Sequence, residues 1–203
     1  MRIHHYNRAK DNQRREFHYR NRFYEPEGIG ESIYVHWLDD KWYPETEHPE
    51  IWLYHNSFAG GQRAMSPSNF SVKGGGLQRT RMLNNIFSSP VFFYASETFI
   101  GSPAMIELCD YNWIGGKLHH GKPAWFGEHN TVAEGKHMWP PGNLPSFTLT
   151  AHSPACGKGL DLSKPFMLGG KIHDPLPGMK PGYFLGSTPD CGALQFGETP
   201  TRE

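Results

Sequence analysis

Residues Asn84-Asn85-Ile86-Phe87-Ser88-Ser89 place side-chain amides, backbone carbonyls and hydroxyls in one short run. These are the hard oxygen donors that Ca²⁺ takes. Asn84, Asn85, Ile86 and Ser88 are therefore candidate ligands of a calcium site. The set brings dipoles but no carboxylate, and affinity rises with carboxylate count, so the site would be weak. The same residues could simply form a turn whose serines bond local backbone.

Twelve histidines offer a second chemistry. His119-His120, His129 and His137, with Asp110 and Glu128, make the densest cluster, and His119, His129 and His137 are the residues on which a metal-dependent hydrolase would be built. The chain has no HExxH, no His-x-His, no Gly-x-Ser-x-Gly elbow and no GxxxxGK[ST], and adjacent histidines on a strand point to opposite faces. Nothing in the sequence commits the chain to catalysis, and the expectation is a non-enzymatic protein.

A third chemistry is charge. Residues 1–23 carry Arg2, Arg8, Lys10, Arg14, Arg15, Arg20 and Arg22 against Asp11 and Glu16, interleaved with His, Tyr and Phe. Such an arm can neutralise phosphates and stack on bases, or it can lie on a protein partner. Residues 24–50 then hold eight acids against Lys41, and the whole chain of 203 residues is neutral. A basic arm followed by an acidic belt can neutralise itself or dock on a charged neighbour.

These residues must be positioned by a loop-rich chain. Glycine and proline number 23 and 17, aromatics reach 14%, and no stretch of eighteen uncharged apolar residues could span a membrane. Residues 33–42 alternate apolar and polar before Asp39-Asp40, which reads as a β-hairpin. From residue 140 onward, ten prolines and ten glycines leave one alternating run, Phe147-Thr-Leu-Thr-Ala151. This segment reads as an extended strap whose rings, Phe166, Tyr183, Phe184 and Phe196 among them, anchor it to a larger surface. Three cysteines without a CxxC pair, and an N-terminus without the apolar core of a signal, suggest a reducing intracellular compartment, whether cytoplasmic, organellar or virion-associated.

Downstream of the asparagine pair, Tyr94-Ala-Ser-Glu-Thr-Phe99-Ile-Gly101 reads as an aromatic strand folding back at a glycine. With residues 84–89 it resembles the βγ-crystallin family, whose Greek-key motifs carry Tyr/Phe-x4-aromatic-x-Gly and, in microbial members, Asn/Asp-Asn/Asp-x-x-Ser/Thr-Ser. A shorter copy, Ile51-Trp-Leu-Tyr54-His-Asn-Ser-Phe58-Ala-Gly60, lies upstream, and Ile106 to Trp113 is similar to the strand and turn that follow the hairpin. The likeness covers about residues 50–135. It departs from the family at Ala95, where glutamate is common, and at residues 128–134, which lack the serine pair. At most one calcium site would then be complete.

The expected architecture is all-β: a Greek-key, crystallin-like β-sandwich over 51–139, preceded over 1–50 by the basic arm, acidic linker and hairpin, and followed over 140–203 by the strap. The expected role is a structural accessory subunit that binds the other protein subunits of a large assembly through its arms, with nucleic acid an alternative partner for residues 1–23. A free calcium-binding module and a histidine-based metal hydrolase are the rival functions.

Overall fold

The computed structural model describes residues 2–4, 15–25, 31–36, 50–60, 63–67, 80–88, 92–94, 106–119, 122, 124–139 and 144–198. Among these residues fourteen short strands form three sheets, and within each sheet all described pairings are parallel. The first sheet holds β1 (Arg2–His4), β4 (Glu31–His36), β7 (Arg63–Pro67), β10 (Phe92–Tyr94) and β13 (Lys117–His119). The second holds β2 (Arg15–Tyr19), β5 (Glu50–Tyr54), β8 (Thr80–Leu83) and β11 (Ile106–Asp110). The third holds β3 (Arg22–Glu25), β6 (Ser57–Gly60), β9 (Ile86–Ser88), β12 (Trp113–Ile114) and β14 (Thr131–Val132).

Over the first twelve strands, each strand pairs with the one three places along the chain. The chain therefore winds as a solenoid, visiting the three sheets in turn and returning one strand spacing further on. In the fifth coil an isolated parallel bridge between Phe126 and Cys109 continues the second sheet.

This overturns the Greek-key expectation. Greek-key sandwiches are antiparallel, whereas every described pairing in the three sheets is parallel. Period-two alternation says which residues share a face but nothing about the direction of the neighbouring strand. Glu31–His36, expected as one arm of a hairpin, lies between two parallel neighbours, β1 and β7; residues 37–49 are outside the described set. Of the expected aromatic hairpin, Phe92–Tyr94 is a strand parallel to Lys117–His119, and residues 95–105 lie outside the described residues. The upstream copy, Ile51 to Gly60, contributes two strands that belong to different sheets.

Parallel register stacks like on like. Phe23, Phe58 and Phe87 occupy equivalent positions, and their rings stack at 4.8 Å and 5.1 Å. Those distances match the spacing between neighbouring strands, so each ring covers the next. Ile114 and Val132 continue the column. Ile51, Leu53, Met82 and Cys109 fill the interior behind the second sheet, all fully or almost fully buried.

The outer faces are apolar as well. Trp52, Tyr54 and Leu83 alternate with the interior residues and would face solvent if the solenoid stood alone. Leu162, Phe166, Leu168, Leu176 and Met179 cover them. On the third sheet, Ala59, Ile86 and Trp113 are covered by Trp139, Phe147, Leu149, Ala155, Cys191 and Leu194. Residues 144–198 thus run across the solenoid's own second and third sheets, with one small hairpin, β15 (Phe166–Leu168) against β16 (Lys171–His173). Phe147 to Ala151 is irregular rather than a strand.

Candidate binding surfaces

Between the second and third sheets the chain turns in two residues. The first is left-handed: Arg20, His55, Asn84 and Tyr111 have φ of 55°, 51°, 55° and 57°. None is glycine, so each carries the cost that L-residues meet there. The second is an asparagine in every coil: Asn21, Asn56, Asn85, Asn112 and, in the fifth, Asn130. Each asparagine Oδ1 accepts from the backbone N–H and the Nδ2 of the asparagine before it. The pairs are Asn21 to Asn56 (3.1 and 3.0 Å), Asn56 to Asn85 (2.9 and 3.0 Å), Asn85 to Asn112 (2.8 and 2.9 Å) and Asn112 to Asn130 (3.0 and 3.0 Å). The second Nδ2 hydrogen reaches back to the previous coil: Asn56 to His18 O, Asn85 to Leu53 O, Asn112 to Met82 O and Asn130 to Cys109 O. The ladder offsets the strain of the left-handed residues and satisfies polar groups that burial would otherwise orphan.

The two ends of this ladder differ. At the last coil, Asn130 Nδ2 donates to Gly127 O at 3.0 Å, so the ladder closes on its own chain. At the first coil, among the described residues, Asn21 Oδ1 receives no hydrogen and one Nδ2 hydrogen points at no acceptor. β1, β2 and β3 are each the edge strand of their sheet and lie together at this end.

The turn residues are also where the C-terminal segment is fastened. His55 is buried, and its Nε2 lies 2.9 Å from Asn84 Nδ2 and 3.0 Å from the Tyr183 hydroxyl. Asn84 Oδ1 accepts from Leu160 N at 2.8 Å, so its Nδ2 is the donor and His55 Nε2 must accept. The ring proton then sits on Nδ1, the ring nitrogen left to donate. Burial, the main cause, pushes the His55 pKa down to about 3 and keeps the imidazole neutral. Burial likewise raises the Tyr183 and Tyr54 hydroxyls well above the ordinary range.

A cleft of about 420 Å³ opens between the second sheet and the hairpin, lined by Arg15, Phe17, Glu50, Trp52, His173 and Asp174 among others. Glu50 holds Arg15 Nε at 2.8 Å and also pairs with Arg81. The Arg81 guanidinium lies 4.6 Å over the Trp52 ring. Arg15 lines the cleft with 66% of its side chain exposed.

The calcium candidates fall on the ladder. The amide oxygens of Asn84 and Asn85 already accept N–H donors, and Ser88 Oγ accepts from Met138 N at 2.9 Å. Ile86 donates its N–H to Asn56 O. Of the histidine cluster, the structure joins His129 Nδ1 to Asp110 Oδ2 at 2.9 Å, with Tyr111 stacked on the imidazole at 4.3 Å. His137 is exposed, and His119 lies in β13; His120 is outside the described residues. Among the described residues no group of three or more His, Cys, Asp or Glu could hold a metal ion.

Of the basic arm, Arg15 pairs with Glu50, Arg20 pairs with Glu198 and donates to Ala193 O, and Arg22 is exposed. Arg2 lies in β1; Arg8, Lys10 and Arg14 are outside the described set. Of the strap anchors, Phe166 is buried against Trp52 and Tyr183 binds His55. Phe184 packs edge-on against Tyr183, and Phe196 is 42% exposed. No helix among the described residues is long and apolar enough to cross a membrane.

Sequence reasoning missed the ladder. Its signal is the recurrence of Arg-Asn-Arg-Phe (20–23), His-Asn-Ser-Phe (55–58), Asn-Asn-Ile-Phe (84–87), Tyr-Asn-Trp-Ile (111–114) and His-Asn-Thr-Val (129–132). Compared with known proteins, the chain matches no family model, no curated protein and no solved structure.

Proposed function

We propose that the protein is a non-enzymatic structural subunit: a short parallel solenoid that joins a larger protein assembly by strand addition at its first coil. The observation that carries this reading is the clustering of three edge strands, β1, β2 and β3, at one end of the solenoid. Edge strands offer unpaired N–H and C=O groups that pair readily with another chain. The C-terminal segment serves this reading as a cover for its own solenoid, since Phe166 and Tyr183 are engaged there. Hydrogen exchange on the isolated protein tests it. Amides of 15–25 should exchange much faster than those of 50–60 and 80–88. Equal protection in all three segments would mean that the first coil is already closed.

A second reading, a small anionic ligand in the cleft, is favoured by Arg15. A buried carboxylate holds its Nε, and the rest of its guanidinium, on a side chain 66% exposed, could take a bidentate acceptor. Titration with phenyl phosphate should then quench tryptophan fluorescence in the native protein and not in Arg15→Ala; no saturable change would remove this reading.

A further inference from the structure

We infer that the first coil receives a solenoid coil of another polypeptide, one that carries its own left-handed-residue–asparagine turn and so extends the amide ladder beyond Asn21. This rests on the reading of the first coil as an assembly surface and names what fits it.

The argument is one of hydrogen-bond polarity. In each interior coil, an asparagine Oδ1 accepts two hydrogens from the preceding turn, a backbone N–H and an Nδ2–H. Its own Nδ2 returns one hydrogen to the carbonyl three residues before the preceding asparagine, as Asn56 does to His18 O and Asn85 to Leu53 O. Asn21 Nδ2 gives one hydrogen to Asn56 Oδ1; its Oδ1 acceptor and its second Nδ2 hydrogen have no partner among the described residues. The complement is therefore specific. It needs an N–H and an amide NH₂ for Asn21 Oδ1, and a carbonyl three residues upstream of that amide for Nδ2. An asparagine turn of the kind repeated inside this chain supplies all three, and a plain extended strand supplies only some of them.

A second copy of this chain does not. Stacked head to tail, it would offer Asn130, whose Nδ2 hydrogens are bonded to Cys109 O and Gly127 O. Stacked head to head, the strands would run antiparallel. Each Asn21 backbone N–H is already bonded to Asn56 Oδ1, so neither Asn21 Oδ1 would receive one. That arrangement would also bring the exposed Arg15 and Arg22 of both copies together. The first coil is thus open to a coil of its own architecture and poorly matched to itself.

The probe is a synthetic peptide of residues 50–60, which contains one complete turn, made soluble by a lysine tail. Its control has Leu in place of the turn asparagine, Asn56. Each is added to the native full-length protein, and hydrogen exchange over 15–25 is read with binding by interferometry. The native peptide should slow exchange at 15–25 and bind about tenfold or more tightly than the Leu control. Asn21→Leu in the protein, checked for an intact melt, should remove the difference between the two peptides. Equal binding of both peptides to the native protein would overturn the inference while leaving strand addition intact. So would a discrete dimer of the native protein that Asn21→Leu dissociates. If 15–25 is already protected in the isolated protein, the assembly surface itself is absent and both readings fall.

Discussion

Asn85→Ala separates the ladder from the calcium site, because the two readings give this residue different work. In the structure Asn85 Oδ1 accepts from Asn56 N and Nδ2, and its Nδ2 donates to Leu53 O and Asn112 Oδ1, all between 2.9 and 3.0 Å. Asn85 and Asn56 are fully buried. Alanine leaves the Asn56 backbone N–H unsatisfied and removes one donor each from Leu53 O and Asn112 Oδ1. Asn112 Oδ1 keeps the Asn85 backbone N–H, and Asn56 Nδ2 keeps His18 O. One orphaned buried donor at roughly 1–3 kcal/mol, with two weakened acceptors, gives a loss of about 2–4 kcal/mol. At this chain length that lowers Tm by roughly 4–16 °C. Urea unfolding of both proteins, with calcium and with chelator, measures it. The loss should be the same in both conditions. A loss under about 0.5 kcal/mol, or one that appears only with calcium present, would refute the reasoning.

Three further outcomes follow from the same contacts. His55 has a folded pKa of about 3 against an ordinary 6.5, so between those values the unfolded chain binds the extra proton. Stability should therefore fall as pH drops below about 6.5, by up to about 1.4 kcal/mol per unit, and His55→Gln should flatten that slope; parallel slopes would exclude His55 as the cause. Gly192→Ala should cost more than about 2 kcal/mol, because φ is 99° and a Cβ would lie 2.6 Å from Ile86 Cδ1 and 2.8 Å from Ser57 Oγ; a neutral melt would contradict the packing described. Glu50→Leu should cost about 3 kcal/mol by removing the buried carboxylate that pairs with Arg81, while Arg15→Ala, largely exposed, should cost under about 1 kcal/mol. Equal losses in denaturant unfolding would show that the two ion pairs are not the inner and outer pairs they are taken to be.

Alternation alone misleads here, since Phe147 to Ala151 shows it and is irregular. Ile51 to Tyr54, four apolar residues in a row, and Ile106 to Asp110 both form strands. Their direction is not legible, since a side-chain period of two is the same for parallel and antiparallel neighbours. The repeat was hidden for two physical reasons. Successive asparagines are separated by 35, 29, 27 and 18 residues, because the connections between coils vary in length while the turn does not. The left-handed residue before each asparagine is Arg, His, Asn or Tyr, so the glycine that usually marks such a backbone is missing. Asn84 and Asn85 are adjacent oxygen donors in the sequence. Their roles differ, one fastening Leu160 and His55 and the other bridging Asn56 and Asn112. The spacing of rings in the C-terminal segment suggests anchors, but a sequence does not say whether a ring lands on a neighbour or on its own chain, as Phe166 does.

A bare solenoid is a chain of nearest-neighbour contacts and can peel one turn at a time. The segment from Leu160 to Gln195 works against this, because it touches several turns at once. Tyr183 meets His55 and Ala193 N meets Ser57 Oγ in the second coil, Leu160 meets Asn84 in the third, and Cys191 Sγ meets Tyr111 O in the fourth. Lifting the first of these fasteners exposes Trp52 and Tyr54, and the rest must follow. The molecule should consequently melt in one sharp step, as a lashed bundle gives way, while the outermost turn, tied down through Arg20 but with its outer strand edges unpaired, opens at lower cost than the turns inside it.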